Sequence, residues 1–420
     1  MSFIPRSRFG LVRINCTYPS LVAKKVTRKK KVSKKPAEPE RLEGLEHPVP
    51  GTFGEILGQE RAVEQIERAL EAGRMHHAWI FHGPRGVGKF TTALAFAALA
   101  LDETTGRDLS GNLSVDPESR AQTLLKARSH PDLHVITKEL ARFSEDAKVR
   151  SAKLATIPKD VVEQHLLRPS ALAAKITPGG AASKVFIVDE AELLDRSATN
   201  AAVQNAMLKT LEEPAPGTLI ILVTSSEERL LPTIRSRCQR VRFGTLTRDA
   251  METWLTRQDY SPAEQDWARR FGEGSPGRVK EAIETGLIAW HERIGGMLER
   301  LLAGQYPLEL GASMASMVDE WASARVAADA RQSKEAGNKA GADRMLSLVG
   351  EILRMKLAEA SASGDERTLE QYALRIDALE RARGRLFANV PGQMVFEALA
   401  AELAQPCLLY TSDAADDLFR

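Results

Sequence analysis

Cysteine is scarce: Cys16, Cys238 and Cys407 are the only three in 420 residues. They stand far apart, which excludes a disulfide framework and a Cys-rich metal module, and suits a reducing compartment. No run of 18 or more uninterrupted apolar residues occurs, so no membrane-spanning helix is expected. Acids are missing from the first 35 positions, which carry eleven Lys or Arg. With +2 for the whole chain and +11 for that stretch, the remainder carries −9. What is present in quantity is ordinary for a globular protein, 43% hydrophobic and 27% charged residues. The length allows two or three domains.

Residues 1–47 have no sustained helical or strand period, and a basic run, Lys24 to Lys35, leads into Pro36, Pro39, Pro48 and Pro50. The stretch reads as a disordered basic arm. Three roles fit it: a solvated tail, non-specific phosphate contact with nucleic acid, or an organelle transit segment.

The chain is organised around Gly83-Pro84-Arg85-Gly86-Val87-Gly88-Lys89-Phe90-Thr91. An apolar run, Ala78 to Phe81, precedes it as a strand, and Ala93 to Ala97 follows as a helix. Strand, glycine turn and helix make a phosphate cradle. Backbone N–H groups turn inward, the helix N-terminus favours negative charge, and Lys89 reaches the terminal phosphates. The full pattern places Ser or Thr directly after the lysine to hold Mg²⁺, and Phe90 stands there instead. Thr91 is no simple replacement, since the next helical residue points about 100° away.

Further strands follow at Leu133–Ile136, Lys184–Val188, Leu219–Thr224 and Arg240–Phe243, with helices between them at 160–167, 198–211 and 230–237. Residues 102–131 read as polar and turn-rich, 138–155 as a charged excursion, and Pro178-Gly179-Gly180 as a turn. The alternation predicts a parallel α/β sheet covered on both faces. Beyond Gly244 the pattern is helical. Short helices are expected at 248–257, 262–271 and 277–284, and long ones at 288–302, 310–331, 344–362, 367–386 and 391–403.

Asp189 and Glu190 close the third strand, where ligand sites of open parallel sheets lie. They are candidates for holding Mg²⁺ and for polarising a water, and Thr224 at the next strand end is a candidate γ-phosphate sensor. Arg237, in Ser236-Arg237-Cys238, is a candidate finger for a neighbouring subunit's nucleotide.

These residues, with Leu208-Lys209-Thr210-Leu211-Glu212-Glu213-Pro214, Leu230 to Cys238, His76-His77-Ala78 and His130-Pro131-Asp132-Leu133-His134, resemble the AAA+ subunits of the bacterial DNA polymerase III clamp loader. The likeness is strong over about 50–290 and weaker through Asn389-Val390-Pro391 and Phe396 to Leu399. It implies a RecA-like AAA+ P-loop domain with a parallel sheet (48–243), a small helical lid (244–286) and an all-α oligomerisation collar (287–405). Residues 406–420 resemble a translated adapter and are set aside as non-native.

Two kinds of subunit in that group compete. A gamma/tau-type motor would keep Ser or Thr after Lys89, an arginine where Gly277 stands, and a Pro-rich extension. A delta-prime-type subunit has an altered loop and presents its Ser-Arg-Cys arginine to its neighbour. Phe90 and Gly277 favour delta-prime, with gamma/tau as the alternative, and Arg278 is expected to be shifted out of the sensor role. The resemblance then implies a cytoplasmic, membrane-free hetero-pentamer with gamma/tau- and delta-type subunits. That assembly acts on a sliding clamp and primed DNA, with Glu190 and Arg237 (in trans) catalytic and Gly83 to Thr91 with Thr224 on the nucleotide. ATP and Mg²⁺ are the expected ligands, Asp189 facing the metal, and hydrolysis by this chain alone is expected to be weak or absent. A polymerase label would come only through the complex. The family's four-cysteine zinc module is not expected, because 102–131 contains no cysteine.

Overall fold

The computed structural model describes residues 47–404, apart from 74, 109–110, 153–155, 177–178, 195–200 and 330–331. The basic arm, the last residues and parts of two sequence expectations, the start of helix 198–211 and the turn at 178, lie outside the described residues.

Helix α1 (Glu60–Glu71) leads to strand β1 (Ala78–His82), the glycine turn and helix α2 (Lys89–Leu101). The stretch expected to be featureless, 102–131, instead holds a small hairpin, β2 (Gly106–Arg107) and β3 (Leu113–Ser114), and helix α3 (Arg120–Lys126). Buried Asp102 explains the order there: it accepts from Thr104, Ser119 and Gln122, and Ser119 in turn caps α3. After β4 (Leu133–Ile136) the excursion is partly buried through Leu140 and Ala141, with short α4 at Ala147–Ser151. The single helix expected at 160–167 is α5 (Lys159–Val162), a π turn over Glu163–Leu167 and α6 (Arg168–Ala171). Then come β5 (Lys184–Val188), α7 (Ala202–Glu212), β6 (Thr218–Thr224), α8 (Pro232–Arg235) and β7 (Gln239–Arg242).

The five long strands form one parallel sheet in the order β4-β5-β6-β1-β7. Alternate residues point to opposite faces, and both faces are covered. Trp79, Phe81, Val185, Ile187, Leu219 and Ile221 pack with α2 on one side. Ile80, Phe186, Val188, Ile220 and Leu222 pack with α5 and α7 on the other. Continuous apolar runs in sequence are the signature of strands buried in this way.

Three short helices follow, α9 (Arg248–Leu255), α10 (Pro262–Phe271) and α11 (Pro276–Glu284). They belong to two cores at once. Met251, Leu255, Ala268 and Val279 join the sheet's α2 side, while Trp267, Phe271 and Ala282 join the helices beyond. Those are α12 (Leu287–Leu302), α13 (Leu310–Ala328), α14 (Lys334–Ser363), α15 (Glu366–Phe387) and α16 (Gly392–Ala404). Helix α14 begins ten residues before the expected Arg344. Gly337 and Gly341, poor helix formers, let it lie close to α13: added Cβ atoms would meet Ala322 and Val318 at 3.1 Å. Packing outweighs propensity there. Arg375, 5% exposed, donates to the carbonyls of Leu403 and Leu302, near the C-terminal ends of α16 and α12. Among the described residues no helix is long and apolar enough to cross a membrane.

Candidate functional site: a phosphate loop under a helical cover

The β1–α2 turn needs three left-handed backbone positions, and glycines occupy them: Gly83 (φ 138°), Gly86 (77°) and Gly88 (100°). A cleft of about 730 Å³ opens over the turn. Of the residues singled out in the sequence, Arg85 to Thr91, Asp189, Glu190 and Thr224 line it. Gly83 and Pro84 do not, but their carbonyls accept the Lys89 ammonium at 2.8 and 2.6 Å. Burial brings the Lys89 pKa down to about 8, opposed by the nearby charges of Glu192 and Asp189. Phe90 packs partly against the α2 core. Thr91 is exposed on the cleft, and Thr92 is buried with its hydroxyl on the Gly88 carbonyl.

Buried Thr224 accepts from the Ser226 N–H at 3.1 Å. Glu190 sits in the left-handed region (φ 49°), a strained choice for a residue with a Cβ. Its carboxylate is ion-paired to Lys138 at 2.5 Å. Asp189 accepts from the Glu190 N–H, and its carboxyl is pushed up to about 6, first by burial and then by Glu190, with Glu192 adding to the rise.

A carboxyl whose folded-state pKa is raised destabilises the fold when ionised. That cost is complete above about pH 6 and vanishes as pH falls through 6 towards the unfolded value near 4. Asp189→Asn keeps the oxygen that accepts from Glu190. It is expected to add about 2–3 kcal/mol of unfolding free energy near pH 7.5 and almost none near pH 4. Urea melts at the two pH values check this; an equal gain at both would remove burial as the cause.

Arg237 is outside the cleft. Its guanidinium bonds the Thr233 carbonyl at 2.8 Å and the Glu212 carboxylate at 2.5 Å. Arg278 is also outside it, ion-paired to Glu273.

Several contributors were not singled out in the sequence. Ile56, Leu57, Leu246 and Trp254 give the cleft an apolar wall. Gln59, 4% exposed, bonds the carbonyls of Val87 and Gly244 and fixes that wall to the loop. Glu192 accepts from the Ser225 N–H at 3.2 Å. Its place two residues after Glu190 was the one available signal. Ile56 and Trp254 carry no signal of their own, because apolar residues beside helices read as core.

The cradle fits a polyphosphate: three left-handed glycines, a helix N-terminus and a lysine converge on it. For a divalent cation, the Phe90 side chain offers no oxygen, and Asp189 presents a half-buried carboxylate that joins no ion pair among the described residues, whereas Glu190 is held by Lys138. Mg²⁺ commonly takes one or two carboxylates together with phosphate and water oxygens, so the donor set fits a metal that arrives with phosphate.

Residues 58–247 match the family model described as DNA polymerase III, delta subunit. Subunit delta' of Bacillus subtilis (strain 168) is 29% identical over 230 residues, 54% of this chain and 58% of that protein. Subunit gamma/tau of Mycobacterium bovis is 31% identical over 208 residues, 50% of this chain and 31% of that protein. Subunit tau of Escherichia coli (strain K12) is 24% identical over 342 residues, 79% of this chain and 48% of that protein. The chain thus spans from 31% to 58% of these relatives' own lengths. Among solved structures, the RuvB Holliday junction branch migration motor of Thermotoga maritima aligns at 17% identity over 64% of this chain and 73% of that chain, with a TM-score of 0.33. That likeness is too loose to bear on function. Over residues 58–247, the chain is thus similar to DNA polymerase III subunits of delta-prime and gamma/tau type.

Proposed function

We propose that this chain is a delta-prime-type subunit of a bacterial DNA polymerase III clamp loader, acting in the cytoplasm. It would sit in a hetero-pentamer with gamma/tau- and delta-type subunits that places a sliding clamp on primed DNA. In this reading 48–243 is the P-loop domain, 244–286 the lid and 287–405 the collar that joins the ring. The observation that carries it is one combination: a well-formed phosphate loop whose lysine is followed by Phe90, on the same chain as Arg237, a half-buried arginine outside its own cleft. Such a chain holds nucleotide poorly suited to turnover and has an arginine to give to another site.

The nucleotide's phosphates would lie on the N–H groups of Arg85 to Lys89, with Lys89 turning from its loop carbonyls to the terminal phosphate. Its base would lie against Ile56, Leu57 and Trp254. Asp189 would face the metal, which supplies charge neutralisation when bound. Glu190 is held by Lys138 and is poorly placed to activate water. Arg237 would neutralise charge developing on the neighbour's γ-phosphate. The second reading, a gamma/tau-like motor, is favoured by the retention of Asp189, Glu190 and Thr224 in one cleft.

A loader reconstituted from delta-type and gamma/tau-type subunits, with and without this chain, tests the assignment. Clamp loading on primed circular DNA is expected to require the chain, while the purified chain turns over ATP negligibly. Loading that proceeds equally well without it would defeat the proposal, and brisk turnover by the chain alone would favour the motor.

A further inference from the structure

The lid meets the apex of the phosphate loop backbone to backbone. The Ser275 hydroxyl donates to the Arg85 carbonyl at 2.7 Å, and the Gly277 N–H to the Gly86 carbonyl at 2.8 Å. Ser275 is 1% exposed and also caps α11 by accepting from the Arg278 N–H. The approach leaves no room for a side chain on either glycine. A Cβ on Gly277 would lie 2.6 Å from the Gly86 Cα, and one on Gly86 would lie 2.6 Å from the Ser275 Oγ.

Behind this contact, Glu281 joins Arg85 of the loop at 3.5 Å and is ion-paired to Arg344 of α14. The Arg344 guanidinium lies 4.3 Å from the centre of the Trp321 ring. Loop, lid and helical domain are therefore fastened by atoms of the chain itself. Of the lid's cations, Arg278 is turned away to Glu273. Arg257 and Lys280 line the cleft, Lys280 with an exposed side chain 3.9 Å from Glu284. The cleft as a whole is lined by six carboxylates and five cations, so its lining carries no net positive charge.

A site distinguishes two ligands only by contacts made to the part in which they differ. Lid closure usually adds such a contact when a lid side chain reaches the last phosphate. Here the place nearest the loop is filled by backbone. We propose that Ser275 and Gly277 fasten the lid to the phosphate loop independently of a γ-phosphate, so that the site takes nucleoside di- and triphosphates equally well. This rests on the nucleotide reading of the cleft. It makes Gly277 a specificity-determining residue: a glycine is required for the close approach, and the approach removes discrimination.

Titration calorimetry of the full chain with ADP and with ATP, each with and without Mg²⁺, tests it. The two dissociation constants are expected to agree within about twofold. Gly277→Ala, which pushes the lid off Gly86, is expected to weaken both ligands by about tenfold and leave their ratio unchanged. Ser275→Ala removes one fastening bond without adding bulk and serves if the first variant does not fold. It is expected to weaken both by about fivefold. ATP binding ten times or more tighter than ADP would overturn the proposal, as would unchanged affinities in the folded variants. Absence of binding by either nucleotide to the unaltered chain would instead remove the nucleotide reading, and this proposal with it.

Discussion

Replacing Arg237 by alanine is expected to lower ATP turnover at the adjacent site of an assembled loader by about a thousandfold, the usual effect of losing an arginine finger. The KM for ATP is expected to change far less, since the guanidinium acts on charge that develops in the transition state. Arg237→Lys is expected to rescue little. The side chain here is a two-point fork, with one nitrogen on the Thr233 carbonyl and another on Glu212, and an ammonium cannot reproduce that geometry. The loss should not come from unfolding: the pair with Glu212 is 34% and 47% exposed, and such pairs contribute about 0–1 kcal/mol. Turnover measured in the reconstituted assembly, beside a urea melt of the variant chain, separates the two causes. An assembly with unaltered turnover would strip Arg237 of the role.

The second large effect is expected at Lys89. Lys89→Ala should weaken nucleotide binding to the full chain by about a hundredfold or more, because it removes the cation at the centre of the cradle. Its pH dependence has a definite sign. Burial has lowered the Lys89 pKa to about 8, so the ammonium that phosphate needs is complete below that value and is lost as pH rises through it. Affinity of the unaltered chain should therefore fall between about pH 7 and pH 9, and that fall should be absent in the variant. Folding moves the opposite way. A lysine whose folded-state pKa is depressed costs stability while charged, a cost complete below about pH 8 and relieved as pH rises from 8 towards the unfolded value near 10. Lys89→Ala should thus lose binding without losing thermal stability. Calorimetry and a melt at two pH values check both halves.

Much of this was legible in the chain. The strands at β1, β5 and β6 were visible because burial on both faces leaves no polar alternation, and every position of β5 and β6 is indeed buried. The glycine turn announced itself because only glycine takes three left-handed positions so close together. Helix α10 has the bounds expected from the sequence, 262–271, and the structure shows what fixes them, the Ser261 cap and Gly272 at the C-terminal end. What stayed hidden depends on contacts between distant residues. Lys138 sits in a charged excursion like any other until β4 and β5 bring it to Glu190. Gly337 and Gly341, poor helix formers, sit inside α14 because α13 packs closely against them. Gly277 led to the expectation that Arg278 leaves the sensor role, whereas its ion pair with Glu273 was not foreseen.

The buried guanidinium of Arg375 has a practical bearing on how the protein can be cut. Among the described residues its guanidinium bonds no carboxylate but the carbonyls of Leu302 and Leu403, at the negative ends of two helices. A fragment stopped one turn short of Leu403 would keep Val395, Phe396 and Leu399 of α16's buried face, yet it would leave half of an interior cation unanswered. The workable end of the helical region is therefore fixed by an electrostatic clasp as well as by hydrophobic area.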